Sequence, residues 1–191
     1  MVLGNLLGNS ALRIAVIEKQ SEVYPIPRAT HLDEETLRNF QLTGLMPQLE
    51  KHTCLFGKME VCNENGERLF EEEIIQHGAE HGYAGSRFFD QPAFERILRD
   101  GLNRFKNITL FSGYEGTGIS QNENEVSVQI RNLSNNEELT LNGKYAVGCD
   151  GGRSMVRTSL NIEMTALESA REWVIVDSIL KDENEIGRAH V

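Results

Sequence analysis

Cysteine is scarce in this 191-residue chain: Cys54, Cys62 and Cys149 are the whole supply, and no two of them form a C-x-x-C pair. An odd, scattered set argues against a disulfide framework and against a zinc site, and reduced thiols of the cytoplasmic kind fit best. Positive charge is also in deficit, with 19 basic against 29 acidic side chains and a formal charge of −10. Nothing in that balance attracts a nucleic acid or an anionic membrane. No apolar run approaches the roughly 20 residues of a spanning helix, and the apolar start has no cationic flank of the signal-peptide kind. With 39% hydrophobic and 25% charged residues the chain reads as globular, long enough for one core, or for one domain and part of another.

Also missing is a glycine-rich turn in the one place where the surrounding pattern asks for it. The stretch "ALRIAVIEK", residues 11–19, reads as a buried strand that ends on an acid, Glu18, and a cation, Lys19. Such a strand closes the first half of a dinucleotide-binding sheet, where the acid lies about 20 residues beyond G-x-G-x-x-G and accepts hydrogen bonds from a ribose. The preceding "VLGNLLGNS" has Leu3, Leu6 and Leu7 on one helical face and reads as the connecting helix. The first strand and its glycines are therefore expected before residue 1, which makes the chain a fragment. At the other end "IGRAHV", residues 186–191, resembles what a common sequencing-library adapter encodes in one frame, so it is set aside as an expected non-native tail, with an ordinary flexible tail as the alternative.

Beyond Glu18 the chain is clearly punctuated. Pro25 and Pro27 hold it extended, Asp33 caps a helix over "EETLRNFQLTGL", and Gly44 ends it. Two alternating runs around Asn65-Gly66 predict a hairpin, with Glu71 to Glu73 as a solvated strand end. Asp90 and Pro92 open a helix whose apolar side carries Phe94, Ile97, Leu98, Leu102 and Phe105, and "NITLF" comes next as a strand. "EVSVQIRN" and "ELTLNGKYAV" alternate across Asn-rich turns and predict an antiparallel meander over 112–143. Then "KYAVGCDGGRSMVRTSL" reads as a strand, a glycine turn and a short helix, a return to the main sheet. "EWVIVDSIL" reads as one more strand, with Trp173 in a core.

Candidate chemistry sits at the element ends. Asp150 at a strand end, Gly151 and Gly152 in the turn, and Arg153 and Arg157 near a helix start suit a ribose or phosphate, with a plain tight turn as the alternative. Arg28 lies in the rigid Pro-flanked segment, where its guanidinium either spans a diphosphate or is simply solvated. Gln91 serves as a cap-region side chain or as a hydrogen-bond partner of a cofactor's polyol chain, and the sequence does not choose. His77 and His81 have i, i+4 spacing, but Gly78 and Gly82 oppose the helix that a metal pair needs, so no metal site is expected.

Together "VIEK", "YPIPRATHLDEETLR", "FFDQP" and "GCDGGRSMVRTSLNI", in this order, resemble the motifs of the FAD-dependent aromatic-ring monooxygenases of the para-hydroxybenzoate hydroxylase superfamily. The resemblance spans nearly the whole chain. It implies an enzyme that uses FAD, NADH or NADPH and oxygen to hydroxylate a small phenolic substrate of the 3-(3-hydroxyphenyl)propionate kind. By position, Glu18 with Lys19 would meet the adenosine ribose, Arg28 the pyrophosphate, and Gln91 the ribityl side of the flavin. Asp150, Gly151 and Arg157 would lie near both FAD and the pyridine nucleotide. The implied fold is α/β, α+β by content: a Rossmann-like FAD-binding layer over 1–54, 88–111 and 144–160, a meander over 112–143, and parts of a substrate-side sheet over 55–87 and 161–185. Flavin-proximal catalytic residues and the oligomeric state are outside what this stretch tells. Two rivals remain at this point, a non-enzymatic dinucleotide-binding module and an antibiotic-modifying flavin monooxygenase of the same fold.

Overall fold

Helix and strand alternate along the computed structural model, which describes residues 1–55, 57–73, 82–83 and 86–166. In chain order the elements are α1 (Val2–Leu7), β1 (Ile14–Glu18), β2 (His31–Leu32), α2 (Glu34–Leu42), α3 (Met46–Leu49), β3 (Thr53–Leu55), β4 (Lys58–Cys62), β5 (Arg68–Glu73) and β6 (Arg87–Phe89). They continue with α4 (Gln91–Leu102), β7 (Ile108–Ser112), β8 (Tyr114–Gln121), β9 (Val126–Asn132), β10 (Glu138–Gly143) and α5 (Met155–Ser159). The chain divides into two compact units, one of 1–9 with 25–104 and the other of 10–24 with 105–166 among the described residues. His77, His81, Trp173, the strand expected at 172–180 and the 186–191 tail lie outside the described residues. Among the described residues no helix is long and apolar enough to cross a membrane, and no cluster of potential metal ligands occurs.

The first unit is built around α4. Asp90 caps it by accepting from Ala93 N–H at 3.0 Å, and Pro92 sits in the first turn, where its missing N–H has no partner to lose. Phe94, Leu98 and Leu102 point into the core with Leu37 and Phe40 of α2 and with Leu45, Met46 and Leu49. Asp33 caps α2 through Thr36 N–H at 2.7 Å, and Gly44, at φ +73°, ends that segment in the left-handed region. β2 and β3 flank β6 in a small antiparallel sheet, and β4 pairs β5 through the Asn65-Gly66 turn with Gly66 at φ +78°. All six residues of β5 are exposed, including the Glu71 to Glu73 end.

Helix α1 forms where expected but presents a different face. Leu3 is 38% exposed, while Gly4 and Asn5 are buried, Asn5 to 1%. The reason is polar: Asn5 Nδ2 donates to Leu98 O at 2.8 Å, and Arg104 Nη2 donates to Asn5 Oδ1 and to Thr43 O, both at 2.9 Å. A satisfied buried amide outcompetes a leucine for the site where a glycine of α4, Gly101, lets the two backbones close in.

The second unit holds the parallel pair and the meander. β1 and β7 run parallel in register from Ile14 opposite Ile108 to Glu18 opposite Ser112. β8, β9 and β10 form the antiparallel sheet, with Val126 and Ile130 buried on one face at period two. The expected strand over Tyr145 to Cys149 does not form: residues 145–150 have no regular structure, and Tyr145 and Val147 are 88% and 66% exposed. Alternating apolar residues make a strand only when a neighbouring backbone pairs with them, and no described segment does so here.

Candidate functional site

Glu18 stands at the carboxyl end of β1, held there by backbone hydrogen bonds. Gly113, at φ +78°, turns the chain from β7 into β8 and donates its N–H to Glu18 O at 2.8 Å. Ser112 Oγ donates to Ser21 O at 3.0 Å, which ties the segment after β1 to the same corner. The Glu18 carboxylate accepts Gln20 N–H through Oε1 at 2.8 Å and is half-buried. An acceptor at the carboxyl end of a parallel strand lies where α/β sheets take their ligands.

Lys19 points to a different partner. Its Nζ reaches Glu115 Oε1 at 2.6 Å, and Arg131 Nη2 reaches the other oxygen at 3.3 Å. The hydrogen bond from Lys19, aided by Arg131, holds the Glu115 carboxyl below its ordinary value. Glu115 is not legible in the sequence as a site residue, because β8 comes nearly a hundred positions after β1 and no local pattern links them.

The 150–157 turn is knitted from within. Asp150 Oδ1 accepts the Ser154 hydroxyl at 2.5 Å and Oδ2 accepts Val156 N–H at 3.1 Å. Ser154 caps α5 by accepting Arg157 N–H at 2.9 Å, and Arg157 Nη1 donates to Gly152 O at 2.8 Å. The start of α5 is therefore largely occupied by the turn's own side chains. α5 has five residues, and two of its leading N–H groups are already taken by Asp150 and Ser154. Two residues missed by sequence reasoning complete the turn. Ser154 carries a readable signal, a serine directly ahead of a helical run. Gly148 carries another: a Cβ there would lie 2.9 Å from Val156 Cβ, so only glycine lets the turn fold back on α5.

Open space remains above this turn. A Cβ on Gly151 or Gly152 would meet nothing within 4 Å, and Gly151 needs its glycine for φ +75°. Backbone can therefore approach a ligand here without a side chain in the way, which fits a sugar-phosphate group. Arg153 is exposed beside it.

Partial burial pulls the Asp150 pKa upward, but the Ser154 hydroxyl and the backbone N–H groups of Val156, Asp150 and Met155 outweigh it, leaving the carboxyl below its ordinary value. The folded pKa lies under the unfolded one, so the turn draws its full stabilisation from Asp150 above the usual carboxylate range and loses it as pH falls through the lower folded value. Amide exchange at Val156, measured as the pH is lowered, should show that loss in the native protein and lack it in Asp150→Asn. An identical acid dependence in both proteins would remove Asp150 from the turn's support.

In the first unit the structure brings Arg28 and Gln91 together, though they are 63 positions apart. Gln91 Oε1 accepts Arg28 N–H at 2.6 Å and Ala29 N–H at 2.9 Å. Gln91 is the first residue of α4, so the rigid helix behind it fixes where the Arg28 segment runs.

A family of FAD binding domains matches residues 1–186 of this chain. The chain belongs to that FAD binding domain family. Among its relatives is a 3-(3-hydroxy-phenyl)propionate/3-hydroxycinnamic acid hydroxylase from Escherichia coli O81 (strain ED1a), 30% identical over 93% of this chain and 31% of the relative. Another of that name, from Burkholderia cenocepacia (strain HI2424), is 33% identical over 92% of this chain and 32% of the relative. The chain thus spans about a third of the length of these relatives. Its fold is that of the flavin-dependent monooxygenase PieE, solved with FAD and substrate, with a TM-score of 0.74 at 19% identity over 84% of this chain and 30% of that one. The p-nitrophenol 4-monooxygenase PnpA from Pseudomonas putida DLL-E4 gives 0.74 at 21% identity over 83% of this chain and 40% of that one. The α/β reading with an antiparallel insertion agrees with these neighbours.

Proposed function

We propose that the protein carrying this chain is an FAD-dependent aromatic monooxygenase that uses NADH or NADPH and oxygen to hydroxylate a phenolic acid of the 3-(3-hydroxyphenyl)propionate kind. The observation that carries this reading is the identity of 30% and 33%, over nearly the whole chain, to two hydroxylases of that name. The chemistry FAD supplies when bound is two-electron transfer from the nicotinamide nucleotide and activation of oxygen. This chain's own part is to hold it.

In this reading Glu18 accepts hydrogen bonds from the adenosine ribose, with Lys19 kept beside it by Glu115. The open Gly151-Gly152 turn, braced by Asp150 and Arg157, lets backbone approach a sugar-phosphate group. Arg28 supplies charge for the pyrophosphate, and Gln91 serves the ribityl side. Residues 1–54, 88–111 and 144–160 then make up the FAD-binding part, and 55–87 contributes to the substrate side.

Glu18→Ala and Arg28→Ala are each expected to weaken FAD binding by roughly 1–3 kcal/mol, the worth of a charge-assisted hydrogen bond. Flavin absorbance retained after gel filtration measures this. Consumption of NADH or NADPH stimulated by 3-(3-hydroxyphenyl)propionate measures the activity. Full flavin retention in both variants would count against the residue roles, and flavin binding with no phenol-stimulated turnover would favour a non-catalytic dinucleotide module.

A further inference from the structure

The pair of hydrogen bonds on Gln91 has a geometry that a ligand contact alone does not require. One side-chain oxygen sits between two successive backbone amides, at 2.6 Å from Arg28 N and 2.9 Å from Ala29 N. The segment they belong to runs along the surface, with Tyr24 and Ile26 43% and 55% exposed and residues 28–31 exposed, and its next backbone tie is Phe89 N–H to Thr30 O at 3.0 Å. Gln91, by contrast, is anchored. Asp90 caps the helix it begins, Pro92 comes next, and Ala93 and Phe94 are 4% and 2% exposed in the core.

We infer that Gln91 is a positioning residue: its Oε1 organises the Arg28–Ala29 backbone and so sets where the Arg28 guanidinium is presented, and this hold, more than a contact of its own with the flavin, is its contribution to FAD binding. The inference rests on the proposed function for its FAD readout. It does not rest on it for the hold itself. Consecutive N–H groups converging on one oxygen form a concave donor site that also suits an anionic oxygen. A glutamine is neutral and keeps the amides occupied without adding charge next to a diphosphate.

Two substitutions separate the hold from a direct contact. Gln91→Glu keeps an acceptor for both amides and, at the first position of a helix, is a favoured residue, but it loses the Nε2 donor. Gln91→Ala loses everything beyond Cβ. In the purified protein, hydrogen exchange of the Arg28 and Ala29 amides should be slow in wild type and Gln91→Glu and fast in Gln91→Ala. FAD dissociation constants, compared with wild type at salt high enough to screen the carboxylate of Gln91→Glu from the diphosphate, should show the same split, with Gln91→Ala weaker by about tenfold, as expected for two net hydrogen bonds, and Gln91→Glu within about twofold of wild type. At that salt, loss of affinity in Gln91→Glu equal to that in Gln91→Ala would overturn the inference in favour of a direct Nε2 contact. Unchanged or tighter binding in Gln91→Ala would overturn it too, because Oε1 would then be a competitor of the phosphate. Should the wild-type protein not bind FAD at all, the functional reading falls. The exchange rates then decide the hold by themselves, and equal rates in all three proteins would end it.

Discussion

Phe94→Ala is expected to lower stability by roughly 3–5 kcal/mol, the range for emptying a buried phenylalanine site. Phe94 is 2% exposed and stands between two other rings, edge-on to Phe40 at 5.4 Å and to Phe89 at 5.0 Å. Around it Leu37 and Leu49 are fully buried, so the surrounding side chains have little freedom to collapse into the gap. The loss also reaches the candidate site. Phe94 is one turn along α4 from Gln91, and Phe89 lies next to the Asp90 cap, so a loosened α4 start releases the Arg28 segment. Urea unfolding should show a lower midpoint at unchanged slope, with Phe94→Leu falling well short of that loss. A change below about 1 kcal/mol would mean that this cluster is not the core of its unit.

Gly101→Ala carries the second large effect, and two opposed terms decide its sign. Alanine is the better helix residue, by about 1 kcal/mol. Against that, a Cβ at position 101 would lie 2.6 Å from Asn5 Oδ1 and 2.6 Å from Leu45 Cδ1. Leu45 is only 2% exposed, and Asn5 cannot swing aside, because Leu98 O and Arg104 Nη2 hold its two ends at 2.8 and 2.9 Å. Relief therefore means either parting α1 from α4 or leaving a buried amide and the Thr43 carbonyl short of partners, at about 1–3 kcal/mol each. The clash wins, and Gly101→Ala is expected to destabilise by about 1–3 kcal/mol net of the helical gain. The double substitution Gly101→Ala with Asn5→Ala should be less harmful than the sum of its parts. Strict additivity, or a stabilising Gly101→Ala, would show that the two helices do not meet as tightly as this.

Both effects concern contacts that no local pattern announces, and the same division runs through the rest of the molecule. Legible in the sequence were features governed by neighbours in the chain: the caps at Asp33 and Asp90, the stop at Gly44, the turn at Asn65-Gly66, and the period-two meander. These depend on backbone hydrogen bonds and φ values set within a few residues, so residue type alone decides them. The acid at the end of β1 and the glycines of the 150–152 turn belong to the same class, since strand ends and turns are local.

What only the tertiary structure decided was pairing and choice of partner. The apolar pattern at Tyr145 to Cys149 and that at Ile14 to Glu18 look alike in sequence, yet one is a strand because Ile108 to Ser112 lies beside it and the other has no such neighbour among the described residues. Lys19 could have faced a ligand or a carboxylate, and Glu115, 96 positions on, settled it. Gln91 had two readings as a lone residue, and its short bonds to Arg28 and Ala29 added a third. The physical reason is the same in each case. A hydrogen bond or ion pair is fixed by where the other group stands, and groups far apart in the chain are brought within about 3 Å only by the packing of the elements that carry them.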